Sequence, residues 1–223
     1  MEPMRPTPAG WTAELWARAC ARGWWKMTGT MAGMVVFFAA YLYLLRHPLF
    51  RPTVMPLTPL DRWIGFEPAA LVLYVSLWPY VALAPVLLVD ARDLAAFAVA
   101  WIVLGATGLT IFLFWPTAIP PADVDWAVHP HFGFLKHLDA AGNACPSLHV
   151  AFAVFTAAWF RRLLAFLRAG PVIQVVNWLW CGAILYSTVA TRQHVVIDVV
   201  AGALLGLAVA FLHQRLAAPT PRR

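Results

Sequence analysis

The chain has 223 residues, of which 62% are hydrophobic and only 12% charged, with a formal net charge of +6. A soluble domain carries about 25% charged residues, and one this small cannot hide so much apolar surface from water. The composition therefore excludes an ordinary soluble fold and makes lipid the solvent for most of the chain. The 16 Lys and Arg residues form no dense tract and no nucleic-acid motif. They read as flanks of membrane helices, with no nucleic-acid partner.

Residues 1–26 read as a cytoplasmic segment in which Trp11 to Lys26 alternates Trp with Arg, the pattern of a short interfacial helix. Six apolar stretches follow, each near the ~20 residues needed to cross a bilayer. They run from Met27 to Leu45, Ala69 to Val89, Leu94 to Trp115, Leu148 to Phe166, Pro171 to Ala190 and His194 to His213. The first reads as a retained span, because Arg46-His47-Pro48 follows it with no small-residue cleavage site. The domain plan is thus residues 27–213 as an all-α, six-helix membrane bundle, with residues 214–223 as a cytoplasmic tail.

Eleven Lys and Arg fall on the side of the termini and five on the other, which places both termini in the cytoplasm. The longest connection, 116–147, then faces outward. Its Trp126, Phe132, Phe134 and Leu135 predict a folded cap over the membrane surface. Gly29/Gly33 and Gly202/Gly206 are small-residue pairs that would let helices approach closely.

Candidate chemistry lies at two places. Asp198 stands within the apolar run Val195 to Leu212, where an ionisable group costs about 2.5–3.5 kcal/mol and needs a partner. His194, four residues earlier, is placed on the same helical face. A carboxylate on its Nδ1–H would leave Nε2 free and electron-rich. The bland alternative is a buried pair that merely locks two helices. The second place is Cys145-Pro146-Ser147-Leu148-His149, at the entry to the fourth span. Ser147 is a good helix N-cap, and the helix end is an anion-favouring position with His149 in its first turn. Both places lie at the outward ends of spans four and six.

Pro146-Ser147-Leu148-His149 followed by Ser187, His194 and Asp198 resembles the second and third signature motifs of the type-2 phosphatidic acid phosphatase and vanadium haloperoxidase superfamily. The resemblance covers roughly Pro56 to Phe211. It implies a metal-free, cofactor-free enzyme working through phosphohistidine. In it His194 attacks phosphorus, Asp198 orients it, His149 protonates the leaving oxygen and Ser147 helps to hold non-bridging oxygens. The superfamily's first motif, a Lys and then Arg-Pro, is absent. Pro116-Thr117-Ala118-Ile119-Pro120-Pro121 occupies its region, and Thr188 stands where an Arg is usual. Arg192 and Lys136 remain as basic candidates for binding substrate.

So few cations suit a phosphodiester better than a phosphomonoester dianion. The Thr191-Arg192-Gln193-His194 run and the Pro-Thr-x-x-Pro element also resemble the inositol phosphorylceramide synthase branch. The expected function is transfer of a phospholipid head-group phosphate to a lipid alcohol, at the outer face of a bacterial inner (plasma) membrane. The rivals are a lipid-phosphate or polyprenyl-diphosphate phosphatase using water, and a non-catalytic lipid-binding or transport protein. His129, His131 and His137 lack a standard zinc spacing, so no metal site is expected. Cys20, Cys145 and Cys181 form no bridge framework, and Cys145, with no base beside it, reads as a small buried side chain rather than a nucleophile.

Overall fold

The computed structural model describes residues 11–21, 23–133 and 142–216. Among them, six helical segments are long and apolar enough to cross a membrane. A ten-residue helix, α1 (Trp11–Cys20), precedes the first of these, α2 (Gly23–Arg46). The spanning helix therefore starts four residues before Met27 and absorbs Trp24, Trp25 and Lys26 from the expected interfacial segment. The reason is visible at Lys26, which is 2% exposed. Its ammonium donates to the carbonyls of Arg18 and Val86, so a cation closes the C-terminal end of the helix that finishes at Val86.

The second span is broken. After a short helix α3 (Pro59–Trp63) and a 3₁₀ turn at Pro68–Ala70 come α4 (Leu71–Val75) and α5 (Leu77–Val86). Pro79 explains the break at Ser76: it lacks the N–H that would bond the Val75 carbonyl, and its ring crowds that position. The remaining spans are α6 (Ala91–Phe114), α7 (Leu148–Phe166), α8 (Pro171–Ala190) and α9 (Val196–Leu216).

The bundle is organised around α7. In its most apolar window 72% of residues are buried, against 6% for α2, so α7 is the hub and α2 lies mostly against lipid. Helix α9 packs closest to α7. A Cβ on Gly202 would run into the Ser147 carbonyl, and one on Gly206 into the Ala151 carbonyl. The Gly202/Gly206 pair thus does what its spacing suggests. The Gly29/Gly33 pair does not: Gly29 meets nothing and Gly33 only the edge of Trp101 at 4.0 Å. On the other side of α7, Asn177 of α8 donates to the Ala157 carbonyl and accepts from the Tyr80 hydroxyl of α5.

The all-α expectation needs one amendment. Strands β1 (Thr53–Val54) and β2 (Thr117–Ala118) pair in parallel, joining the loop after the first span to the loop after the third. Thr117 extends this tie. Its hydroxyl accepts from the Cys145 N–H at 2.7 Å and its carbonyl from the Ala144 N–H. The Pro-Thr-x-x-Pro element therefore supports the Cys145-Pro146-Ser147 turn, whose Cys145–Pro146 peptide is cis. Three connections are gathered at one end of the bundle, over the N-termini of α7 and α9.

Candidate active site

Helix α7 begins where Ser147, wholly buried, accepts the Val150 N–H on its hydroxyl. The Ser147 N–H is itself bound by the Asp198 carbonyl at 3.0 Å. One residue thus caps α7 and ties it to the first turn of α9. His149 follows in the first turn of α7, half-buried.

Helix α9 starts at Val196, so His194 stands in the approach to the helix and not on its face. The carboxylate of Asp198, wholly buried, accepts from the Val195 N–H at 3.0 Å. This is half of a capping box, with Asp198 in the first turn. The charge that looked embedded in hydrocarbon is therefore held at the positive end of a helix, where an anion is favoured. His194 is a close ionisable neighbour, with Nδ1 3.6 Å from Asp198 Oδ2, an ion-pair separation at which Nδ1 makes no hydrogen bond among the described residues. The other oxygen, Oδ1, is buried and meets no donor among the described residues.

The two histidines meet. His194 Nε2 is 3.5 Å from His149 Nδ1, with ring centroids 5.6 Å apart. On its far side His149 Nε2 lies 2.8 Å from the Tyr74 hydroxyl. A line of polar groups therefore runs Tyr74, His149, His194, Asp198. Tyr74, at 1% exposure, was lost in the sequence among the apolar residues of the second span.

Asp61 is the second residue the sequence did not single out, and it braces the loop that carries His194. It is 1% exposed. Its Oδ2 accepts from the Thr58 N–H and hydroxyl, its Oδ1 from the Val196 N–H, and its carbonyl from Arg192 Nη1 at 3.0 Å. A Thr-Pro-Leu-Asp stretch is a legible capping box. That the same carboxylate also caps α9, 135 residues away, is not legible from local sequence.

The other expected residues fall as follows. Arg192 reaches the site's edge but donates to Asp61, so in this state it holds the loop together. Lys136 and His137 lie outside the described residues. His129 packs its ring on Phe66 at 5.0 Å, and His131 is exposed. Burial, with the charge of nearby Asp198, pushes the Cys145 thiol up to about 11, which keeps it protonated and inert near neutrality.

Between α2, α5, α6 and α7 lies a partly open pocket that ends on His149. Its walls are apolar and aromatic: Phe37, Phe38, Trp78, Trp101, Leu148 and Phe152 among others. His194 is 4% exposed. The pocket thus leads to the buried pair from the His149 side.

The PAP2 superfamily model matches residues 92–218. This stretch contains Ser147, His149, Arg192, His194 and Asp198 and leaves out Asp61 and Tyr74. No curated protein and no solved structure matches the chain.

Proposed function

The chain belongs to the PAP2 superfamily, and from that premise we propose a lipid phosphotransferase in which His194 is the nucleophile, Asp198 its orienting carboxylate and His149 its acid and base. Membership points to phosphatase or phosphotransferase chemistry on lipid-like substrates. The observation that carries the finer reading is the placement of His194: Nδ1 toward Asp198 at 3.6 Å and Nε2 toward His149 at 3.5 Å. A proton on Nδ1 leaves the Nε2 lone pair as the nucleophile.

A phosphoryl group bonded to Nε2 needs the space His149 Nδ1 now fills. Reaction therefore begins with the two rings parting, and the leaving oxygen replaces Nε2 as acceptor of the Nδ1 proton. Arg192 and Lys136 are the cations proposed for the non-bridging oxygens, joined by Ser147, whose hydroxyl hydrogen is not used in capping Val150. Stabilising the charge on those oxygens supplies the largest electrostatic contribution.

Two cations suit a phosphodiester, and an apolar pocket ending on His149 suits a lipid chain on the leaving alcohol. Head-group transfer to a lipid alcohol, in the manner of the inositol phosphorylceramide synthase branch, is accordingly preferred to hydrolysis by water. The excess of Lys and Arg on the opposite side supports a site at the outer face, in the reading of a bacterial plasma membrane protein.

The test is thin-layer analysis of lipid products from the reconstituted protein, with and without an added lipid alcohol. A new phosphorylated lipid that appears only with the alcohol supports transfer; free phosphate from phosphatidate alone counts against it. His194→Ala is expected to abolish turnover while the protein still inserts, and vanadate to inhibit. Full activity in His194→Ala refutes the nucleophile.

A further inference from the structure

We propose that Tyr74 is a positioning residue: by accepting from the Nε2–H of His149, it makes Nδ1 the one ring nitrogen that exchanges a proton in both halves of the reaction. The inference rests on the roles given above to His149 and His194. Tyr74 lies outside the residues matched by the superfamily model, so what carries it is its position.

That position is built by three features. The break at Ser76 ends α4 and sets Tyr74 against α7, where its oxygen reaches His149 Nε2 at 2.8 Å. Its ring tilts over the imidazole with centroids 4.9 Å apart. From outside, Phe132 in the loop after the third span is buried against it, with Phe66 and Trp126 packed around the pair. The hydroxyl cannot swing away without opening this cluster.

A neutral imidazole has one N–H and two possible tautomers. Only one serves each step here. In the first half His149 is protonated on both nitrogens. The His194 Nε2 lone pair forms the N–P bond as the P–O bond to the leaving alcohol breaks. The departing oxygen's electron pair takes the Nδ1 proton, and His149 is left neutral with its remaining proton on Nε2, bonded to Tyr74. In the second half Nδ1 accepts the proton of the entering water or alcohol. That oxygen forms the new P–O bond, the N–P bond breaks, and its electrons return to His194. The Tyr74 hydroxyl can also donate to a bare Nε2, so its effect is a bias. The first half leaves the remaining proton on Nε2 already bonded to Tyr74, and without that acceptor neutral His149 passes more readily to the Nδ1–H tautomer, which blocks the second half.

The experiment compares first-turnover release with steady-state turnover in the full-length protein, using a p-nitrophenyl alkyl phosphodiester. p-Nitrophenolate leaves without needing an acid, so the first half becomes insensitive to His149. Tyr74→Phe is expected to keep the first turnover at the wild-type rate and slow the steady state on the order of tenfold, with KM falling in step so that kcat/KM is unchanged. Tyr80→Phe removes another buried tyrosine hydroxyl, bonded at 2.8 Å to Asn177, and is expected to leave the ratio of the two rates as it is. If first turnover and steady state fall together in Tyr74→Phe, or neither falls, the proposal is overturned. Should that variant fail to fold, 3-fluorotyrosine at position 74 keeps the shape and weakens the oxygen as an acceptor. A slowed steady state with an intact first turnover then supports the proposal, and an unchanged steady state overturns it. First-turnover release that survives in His194→Ala overturns instead the nucleophile reading beneath it.

Discussion

Arg192 Nη1 donates to the backbone carbonyl of Asp61 at 3.0 Å, joining chain positions 131 residues apart beside the approach to α9. Arg192 also ends α8. Its φ is +57°, in the left-handed region. The Gln193 N–H bonds the Thr188 carbonyl and the Arg192 N–H the Val189 carbonyl, so Arg192 occupies the position of a Schellman turn where glycine is usual. An L side chain there costs about 1 kcal/mol, a cost glycine would avoid.

This separates the backbone of Arg192 from its guanidinium. In Arg192→Gly, relief of strain offsets the lost hydrogen bond, and stability in detergent is expected to stay within about 1 kcal/mol of wild type. Arg192→Ala keeps the strain, loses the bond and melts lower. Both variants are expected to lose turnover by tenfold or more if the guanidinium serves phosphate. Wild-type turnover in Arg192→Gly would assign Arg192 to the loop alone.

Asp61 supports the same loop through its carboxylate. Asp61→Ala leaves the N–H groups of Thr58 and Val196 without their acceptor in a site 1% exposed. Each orphaned donor costs about 1–3 kcal/mol, so the variant should lose several °C of thermal stability and most of its activity. Thr58→Ala removes one donor, spares the Val196 cap, and is expected to keep its activity with a smaller loss of stability. Thermal melts and turnover on one lipid substrate decide between them.

The parts of this architecture that show in sequence are those written in local patterns. Six spans follow from runs of apolar residues. His149, His194 and Asp198 follow from two short motifs, and the structure brings all three side chains to one place. Tyr74 and Asp61 did not show, for opposite reasons. A tyrosine in an apolar span is indistinguishable from lipid-facing packing until its hydroxyl is seen against His149. Asp61 reads as an ordinary cap of α3 because its second use lies on α9. Helix α9 also starts later than its apolar run suggests: the run continues back through Val195, yet the helix begins at Val196, where two carboxylates meet the N–H groups of Val195 and Val196.

The packing of α7 on α9 offers a paired test with opposite outcomes. Gly202→Ala drives a methyl group into the Ser147 carbonyl, which is backbone and cannot rotate away. Separating these helices also separates His149 from His194. The variant is expected to lose about 2 kcal/mol or more, as overpacked cores do, and nearly all turnover. Gly29→Ala adds its methyl to open space and should match wild type in both. Equal behaviour of the two variants would show that α7 and α9 do not pack as described.

Cys145 gives a pH test whose direction follows from its thiol. Burial, and the Asp198 charge beside it, raise the thiol from 9.0 to about 11. Well below pH 9 it is protonated in both folded and unfolded chains, so there it adds nothing to the pH dependence of stability. Between pH 9 and about 11 the unfolded thiol ionises while the folded one does not, and stability is expected to fall as pH rises through that window. Cys145→Ala should flatten this part of the profile, as read by melts at a series of alkaline pH values. At pH 7.5 the thiolate fraction is too small for fast alkylation, so a maleimide that labels exposed Cys20 should leave Cys145 unlabelled and turnover intact. Rapid labelling of Cys145 with loss of activity would instead mean that the cluster of Thr117, Cys145 and Asp198 opens in the membrane.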